Sequence, residues 1–134
     1  MDASVGLAWF LDRPASPYAN MVRDALLRDA RAIVPALWHL EMANGIALAE
    51  RRRHLTPAES QQCLADIELV AAKAIETETH PFSVREAFNT ARELLLSAYD
   101  AVYLELSRRS RLPLATLDRA LQRAASATGV ELFR

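Results

Sequence analysis

Hydrophobic residues recur every three or four positions over most of the chain, and this spacing predicts a largely helical protein. The first predicted helix lies in the apolar part of residues 1–11. The others cover residues 17–29, 36–53, 57–73 and 84–95, a stretch that begins at residue 97, and residues 119–128. The apolar positions of the fifth helix predict a buried face made of Val84, Ala87, Phe88, Ala91, Leu94 and Leu95.

Short apolar stretches between these helices predict strands. Residues 32–34 end at a proline, residues 74–80 alternate apolar or threonine positions with glutamates, and residues 112–117 and 130–133 are mostly apolar. Strands that alternate with helices through short connections favour a parallel sheet covered by helices on both faces. We see no repeat, linker or low-complexity segment, and we therefore expect a single α/β domain spanning residues 1–134.

Residue types that cap helices stand at two of the predicted starts. Asp2 or Ser4 can cap the first helix, because their side-chain oxygens accept hydrogen bonds from first-turn amides. Ser83 precedes the fifth helix, and Glu86 three residues later completes the pattern of a capping box.

The composition is that of an ordinary globular protein, with 51% apolar and 25% charged residues. No apolar run approaches the ~20 residues that span a bilayer. Cys63 is the only cysteine, which excludes an internal disulfide and fits a reducing compartment, so we expect a cytoplasmic protein. Lys73 is the only lysine among 16 basic residues. Arginine suits phosphate binding, but a GC-rich genome that prefers arginine codons is the simpler explanation, and the charge does not identify a partner.

Three acidic residues occupy positions at which the sequence predicts burial. Glu41 lies on the apolar stripe of its helix, Asp100 in the first turn of the helix that begins at residue 97, and Asp118 at the end of the strand predicted for residues 112–117. An unpaired buried carboxylate is costly, whereas several that converge are stabilised by a divalent cation. Oxygen ligands suit Mg²⁺ and Mn²⁺. These acids are therefore candidate metal ligands.

Each of these acids also has an explanation without a metal. Asp118 can be a helix N-cap, Asp100 a first-turn acid favoured by the helix dipole, and Glu41 the partner of a buried arginine.

Four segments together resemble the PIN-domain family, and within it the ribonuclease toxins of the VapC type. They are DASVGLAWFL, VPALWHLEMANGIALAERRR, SAYDAVYLELSRRSRLPLATLD and GVELF, in that order along nearly the whole chain. The resemblance implies a three-layer α/β/α fold with a short, mostly parallel sheet. In that family the acids of the D-A-S, P-x-x-W-x-x-E, Y-D-A and T-x-D motifs form one Mg²⁺ or Mn²⁺ site, and here they are Asp2, Glu41, Asp100 and Asp118.

The resemblance also supplies residues that support this site by hydrogen bonding, at Ser4, Asn44, Ser97 and Thr116. One departure from the family is clear. PIN domains usually have an apolar run before the first acid, which forms a strand in the middle of the sheet, whereas only one residue precedes the acid here. Either the start of the sequence is truncated or wrongly assigned, or this central strand is very short.

Two clusters of arginines follow helices that contain candidate ligands. Arg51, Arg52 and Arg53 end the helix of residues 36–53, and they are candidates for contact with RNA phosphates. Cations that compensate a helix C-terminus explain them equally well. The same pattern recurs after the helix that contains Asp100, at Arg108, Arg109 and Arg111, with the same two explanations.

The resemblance implies a Mg²⁺- or Mn²⁺-dependent endoribonuclease in which a metal-activated water attacks an RNA phosphodiester. It further implies a homodimer, and a small antitoxin protein that covers the active-site groove. Two alternatives remain: a PIN-like binding module whose short start has cost it catalysis, and another Mg²⁺-dependent phosphohydrolase such as a phosphatase. Phosphatases usually have a second acid two residues after the nucleophilic aspartate of the first strand, and Ser4 stands there.

Overall fold

The computed structural model describes all 134 residues and contains seven helices and two strands. The helices are α1 (Ala3–Leu11), α2 (Pro17–Leu27), α3 (Leu37–Arg51), α4 (Pro57–Ala74), α5 (Val84–Leu94), α6 (Ala98–Ser110) and α7 (Arg119–Ala127), and the strands are β1 (Ala32–Pro35) and β2 (Ile75–Glu78). All seven predicted helices are therefore confirmed, with ends that differ by a few residues. None of them combines the length and apolarity that crossing a bilayer needs.

The sheet is parallel, as predicted, but smaller than the sequence suggests. β1 and β2 pair in parallel, with Ala32 opposite Ile75. The strands predicted for residues 112–117 and 130–133 are wrong as full strands, because they meet only in one parallel bridge, between Leu114 and Leu132. Further along this segment, the main-chain amides of residues 117 and 118 donate hydrogen bonds to side-chain hydroxyls, so the strand pairing does not extend that far.

The strand expected before the first acid is reduced to two residues. The nitrogen of Met1 donates a hydrogen bond to the carbonyl of Ile33, at 3.3 Å. The amide of Asp2 donates to the carbonyl of Ala115, at 2.9 Å. Met1 and Asp2 thus lie between β1 and the segment of residues 114–115, and α1 begins immediately after them.

Close packing of α1 against α3 sets the relative position of the first two candidate ligands. A Cβ atom on Gly45 of α3 would collide with the side chain of Leu7 on α1. A Cβ atom on Gly6 would lie 2.9 Å from the sulfur of Met42. Since Asp2 is the N-cap of α1 and α3 contains Glu41, the two glycines let these acids approach each other.

The burial predicted for α5 is wrong at three of its six positions, and the other three, Ala87, Ala91 and Leu94, are only partly buried. Val84, Phe88 and Leu95 are 89%, 56% and 90% exposed, and no residue of the helix is fully buried. The physical reason is that α5 is an outer helix, packed chiefly against α6. Ser83 does cap it, but the carboxylate of Glu86 pairs with Arg109 instead of completing the capping box.

Candidate metal-binding active site

Asp2 is an almost fully buried acid, 5% exposed, at the start of α1. One of its carboxylate oxygens accepts a hydrogen bond from the hydroxyl of Ser4, at 2.6 Å, and the other accepts one from the hydroxyl of Thr116, at 2.8 Å. Burial raises the pKa of Asp2 above its ordinary value, and the two hydroxyls oppose this shift. Asp2 occupies the N-cap position, but neither its side chain nor that of Ser4 caps the helix as predicted.

The two hydroxyls that bind Asp2 also bind the chain that leads into α7. Ser4 accepts a hydrogen bond from the amide of Leu117, at 2.9 Å, and Thr116 accepts one from the amide of Asp118, at 3.0 Å. Each hydroxyl therefore donates to the acid and accepts from the main chain. This arrangement fixes the carboxylate of Asp2 relative to residues 116–118.

Glu41 lies in the second turn of α3 and is half-buried. Its carboxylate accepts a hydrogen bond from the phenol of Tyr103, a residue that is 3% exposed. Burial raises the pKa of Glu41, the negative charges of Asp2 and Asp100 raise it further, and the hydrogen bond from Tyr103 opposes the shift. Asp2 and Asp100 therefore each lie near enough to Glu41 for their negative charges to disfavour its ionisation.

Asp100 lies in the first turn of α6, where Ser97 is the N-cap residue. The hydroxyl of Ser97 accepts a hydrogen bond from the amide of Asp100, at 3.0 Å, and donates one to its carboxylate, at 2.6 Å. One oxygen of Asp100 therefore has a fixed partner within the chain, and the other has none.

Asp118 is joined to this group only indirectly. Its carboxylate accepts a hydrogen bond from the amide of Leu121, at 2.8 Å, as the N-cap of α7, and it is exposed. Its link to Asp2 runs through the main-chain amide and the hydroxyl of Thr116. The helix-cap role considered for Asp118 is thus present in the structure.

Asp2, Asp100 and Asp118 lie at the N-cap or in the first turn of a helix, where the helix dipole favours negative charge, whereas Glu41 lies in the second turn of α3. None of them pairs with an arginine, lysine or histidine, so the buried arginine considered for Glu41 is not found. No three histidine, cysteine, aspartate or glutamate side chains stand close enough together, in these conformations, to hold a metal ion. The oxygen-only donor set fits Mg²⁺ or Mn²⁺, but its side chains must turn to reach a common ion.

The PIN-domain family model matches residues 1–127. The chain belongs to the PIN-domain family. Members of the family are generally nucleases and usually bind divalent metal ions. The solved structure described as "Crystal Structure of PAE2754 from Pyrobaculum aerophilum" is similar in fold, with a TM-score of 0.68 and 21% identity, over 92% of this chain and 81% of that chain. No curated protein is significantly similar to the sequence.

The other predicted site residues of this PIN domain have no contact with the acids. Asn44 is exposed and lies one turn after Glu41 on α3. Arg51, Arg52 and Arg53 are exposed and form no ion pair, but they lie at the far end of α3. The first of them lies ten positions after Glu41, about 15 Å along a helix axis. They can therefore contact only RNA that extends beyond the acids.

Two arginines of the second cluster form ion pairs within the domain. Arg108 pairs with Glu105 at 2.9 Å, and Arg109 pairs with Glu86 and lies 4.3 Å above the ring of Phe82. Arg109 thereby connects α6 to α5 and to the loop before α5, and the Arg108–Glu105 pair lies within α6. Both arginines differ in this from the unpaired arginines at the end of α3.

Tyr103 is the site residue that the sequence analysis missed, because a buried aromatic on an apolar helix face is most simply a core residue. Its spacing from Asp100 is the signal that could have identified it. Two residues three positions apart lie on the same helix face, and the tyrosine hydroxyl then points towards the same region as the acid.

Proposed function

We propose that this PIN domain is a Mg²⁺- or Mn²⁺-dependent endoribonuclease, the toxin of a type II, VapBC-type toxin–antitoxin pair. The observation that carries the proposal is the group of Asp2, Glu41 and Asp100: the charges of Asp2 and Asp100 raise the pKa of Glu41, and no arginine, lysine or histidine side chain pairs with any of the three. A divalent cation supplies the missing positive charge. Family membership supports the same chemistry.

In this proposal Asp2, Glu41, Asp100 and Asp118 hold the metal, and four further residues support them: Ser4, Asn44, Ser97 and Thr116. Ser4 and Thr116 already orient Asp2, and Ser97 orients Asp100. When bound, the metal ion lowers the pKa of a water molecule and neutralises charge on the attacking and leaving oxygens. The acids must be ionised to bind it, so burial of Asp2 makes metal binding sensitive to acidic pH.

The substrate in this proposal is RNA, because the metal acts on a phosphodiester and the unpaired arginines at the end of α3 can bind phosphates. Arg51, Arg52 and Arg53 contact nucleotides beyond the one that is cleaved. Their contribution is to affinity, and it weakens as the salt concentration rises.

Cleavage of single-stranded RNA by the purified protein tests this function. Mg²⁺ or Mn²⁺ should support cleavage, a chelator should stop it, and Asp100→Asn should abolish it. Asp24→Asn is the matched control, because Asp24 is exposed on α2 and its carboxylate makes no hydrogen bond or ion pair. Absence of cleavage with either metal, or normal cleavage by Asp100→Asn, would contradict the proposal.

The proposed partners are a second copy of the chain and a small antitoxin that lies across the acids. The exposed apolar residues of α5 support the dimer: Val84 and Phe88 lie one turn apart and Leu95 follows the helix. Burial of such a surface in a homodimer is favourable. Phe88→Glu should convert the dimer into a monomer in sedimentation experiments, and a wild-type protein that is monomeric would contradict this assignment.

One observation favours a second candidate, a PIN-like RNA-binding module without catalysis. No three acidic side chains stand close enough together to hold a metal ion. A calorimetric Mn²⁺ titration separates the two functions, because the ribonuclease must bind the metal and the binding module need not.

A further inference from the structure

Tyr99 is an exposed aromatic residue inside one of the motifs of the candidate site. It directly precedes Asp100 in the first turn of α6, the helix that Ser97 caps. Tyr99 is 66% exposed, whereas the seven residues that follow Asp100, Ala101–Ser107, are all buried. α6 therefore emerges from the core at its first turn, where a candidate metal ligand and an aromatic ring are consecutive in the chain.

The position of Tyr99 on α6 places it on the side of the helix that faces Glu41. Residues four positions apart lie on the same helix face, and Tyr99 is four positions before Tyr103. The phenol of Tyr103 donates a hydrogen bond to Glu41 of α3, which identifies the neighbour of this face. Since Tyr103 is buried and Tyr99 is exposed, the same face runs from the core to solvent within one turn. Tyr99 thus lies where the group of acids opens to solvent.

The ring of Tyr99 has no stacking partner within the chain. Among the aromatic side chains only Phe88 and Tyr99 are exposed, and the guanidinium of Arg92 lies 5.5 Å from the ring centroid of Phe88. No cation and no second aromatic ring lies over Tyr99. Its hydroxyl also makes no hydrogen bond within the chain, unlike those of Tyr18 and Tyr103. The ring is therefore free to stack on a planar ligand.

A nucleobase is the planar ligand that this position favours. Every base has a π-face, and stacking on aromatic side chains binds single-stranded nucleic acids with little dependence on sequence. A phosphodiester that lies at Asp100 has bases on the nucleotides on either side of it. One of these bases can then reach the ring of Tyr99, which is attached to the neighbouring residue. A base inside a duplex is already stacked on both faces and cannot do so without leaving the helix.

We propose that Tyr99 is a substrate-binding residue whose ring stacks on the nucleobase adjoining the scissile phosphate, and that this contact selects single-stranded RNA. The inference rests on the proposed function for the identity of the ligand. It divides the work of binding between two places. Arg51, Arg52 and Arg53 bind distant phosphates and act less strongly as the salt concentration rises. Tyr99 binds a base beside the acids, through a contact that involves no charge.

A contact with a second copy of the chain is the competing role for this ring. Leu95 lies four positions before Tyr99 and belongs to the exposed apolar surface proposed for the dimer. If Tyr99 extended that surface, removal of its ring would weaken the dimer and would leave base binding unchanged in a protein that stays dimeric. Sedimentation of each variant therefore accompanies the binding measurements.

The test compares three substitutions at one exposed position: Tyr99→Leu, Tyr99→Phe and Tyr99→Trp. Leucine keeps an apolar side chain and a high helix propensity but removes the ring, whereas phenylalanine and tryptophan keep a ring. Each protein is titrated in EDTA with a short oligoadenylate and with an abasic ribose–phosphate chain of the same length. The two ligands have the same phosphates, so the ratio of their dissociation constants measures the contribution of the bases.

The wild-type protein should bind the oligoadenylate about 10-fold or more tightly than the abasic chain. Tyr99→Leu should reduce this ratio to about 2-fold or less, with unchanged affinity for the abasic chain, and Tyr99→Phe and Tyr99→Trp should retain it. With Mn²⁺, Tyr99→Leu should raise KM for single-stranded RNA more than it lowers kcat, because the ring binds substrate and not metal.

Equal ratios in the wild type and in Tyr99→Leu would overturn the proposal, as would a loss of the ratio in Tyr99→Phe. Dissociation of the dimer by Tyr99→Leu would assign the ring to the contact between copies and would overturn it too. The titrations use neither metal nor cleavage. A protein that binds RNA through Tyr99 but does not cut it would therefore contradict the proposed function and still support the role of Tyr99 in base binding.

Discussion

The phenol of Tyr103 donates a hydrogen bond to the carboxylate of Glu41, joining α6 to α3 across 62 positions of the sequence. Asp100 lies one turn before Tyr103 on α6, so a single helix contributes one candidate metal ligand and the donor that orients another. This hydrogen bond directly joins the side chain of Glu41 to the helix that carries Asp100.

Tyr103→Phe should weaken metal binding while the protein stays folded. The substitution removes only the hydroxyl, at a cost of about 1 kcal/mol in unfolding free energy. Loss of a partner that orients a metal ligand typically lowers metal affinity by about 10-fold or more. A calorimetric Mn²⁺ titration measures this effect. Tyr99→Phe is the control, because Tyr99 lies on the same helix but is 66% exposed; equal affinities in the two variants would contradict the positioning role.

Thr116→Val should be more damaging to stability than its small change in shape suggests. Thr116 is fully buried, and its hydroxyl connects the carboxylate of Asp2 with the amide of Asp118. Removing it leaves two polar groups unpaired, which costs about 1–3 kcal/mol of unfolding free energy. It should also raise the pKa of Asp2 further, because the hydrogen bond opposes the burial shift. Urea unfolding measures the loss, and Thr116→Ser, which keeps the hydroxyl, should recover most of it.

The stability contributed by Glu41 should fall with rising pH in the absence of metal. Burial and neighbouring charges raise its pKa in the folded protein above the ordinary 4.5, so the folded state favours the protonated form. Its contribution is therefore fully present below pH 4.5 and is lost as the pH rises through the raised value. Mn²⁺ should restore stability at neutral pH, where the acid is ionised, and have little effect at acidic pH.

The unfolding midpoint measured against pH, with and without Mn²⁺, checks this prediction. The difference between wild type and Glu41→Gln isolates Glu41 from Asp2 and from the amino group of Met1, which also titrate. A pH-independent difference between the two proteins would show that the folded environment does not disfavour the charge on Glu41.

Sequence patterns predicted the helices well because the signals for a helix are local. They predicted less well which helix faces are covered by other elements and which strands pair. The face of α5 that contains Val84 and Phe88 has helical periodicity, but periodicity does not reveal whether another element covers that face. The strand predicted for residues 112–117 failed for a similar reason. The amide of Leu117 donates to the hydroxyl of Ser4, a residue more than 100 positions away in the sequence, and not to a neighbouring strand.

The candidate site was predicted in part. The sequence identified the acids and the supporting hydroxyls of Ser4, Ser97 and Thr116, which contact the acids as expected. It did not identify Tyr103, because the partner of a buried phenol depends on how two helices pack. Whether Asp118 leaves its helix-capping hydrogen bond to bind metal is likewise a property of the folded site and not of its motif.

Gly45→Ala should destabilise the domain by about 1–3 kcal/mol, because the added methyl group collides with Leu7 and overpacks the contact between α1 and α3. The shift should also weaken Mn²⁺ binding, since the two helices contain Asp2 and Glu41. Thermal unfolding and metal titration measure the two effects. The double variant Gly45→Ala with Leu7→Ala should recover part of the stability, because the two sites are in contact. A single variant as stable as wild type would show that this close approach is not required.

Anomalous diffraction from crystals soaked in Mn²⁺ tests most directly whether the acids form a metal centre. The expected result is a strong anomalous peak within coordination distance of Asp2, Glu41 and Asp100, which disappears in Asp100→Asn. No peak among these carboxylates at a saturating Mn²⁺ concentration, or a peak that persists unchanged in the variant, would contradict the account.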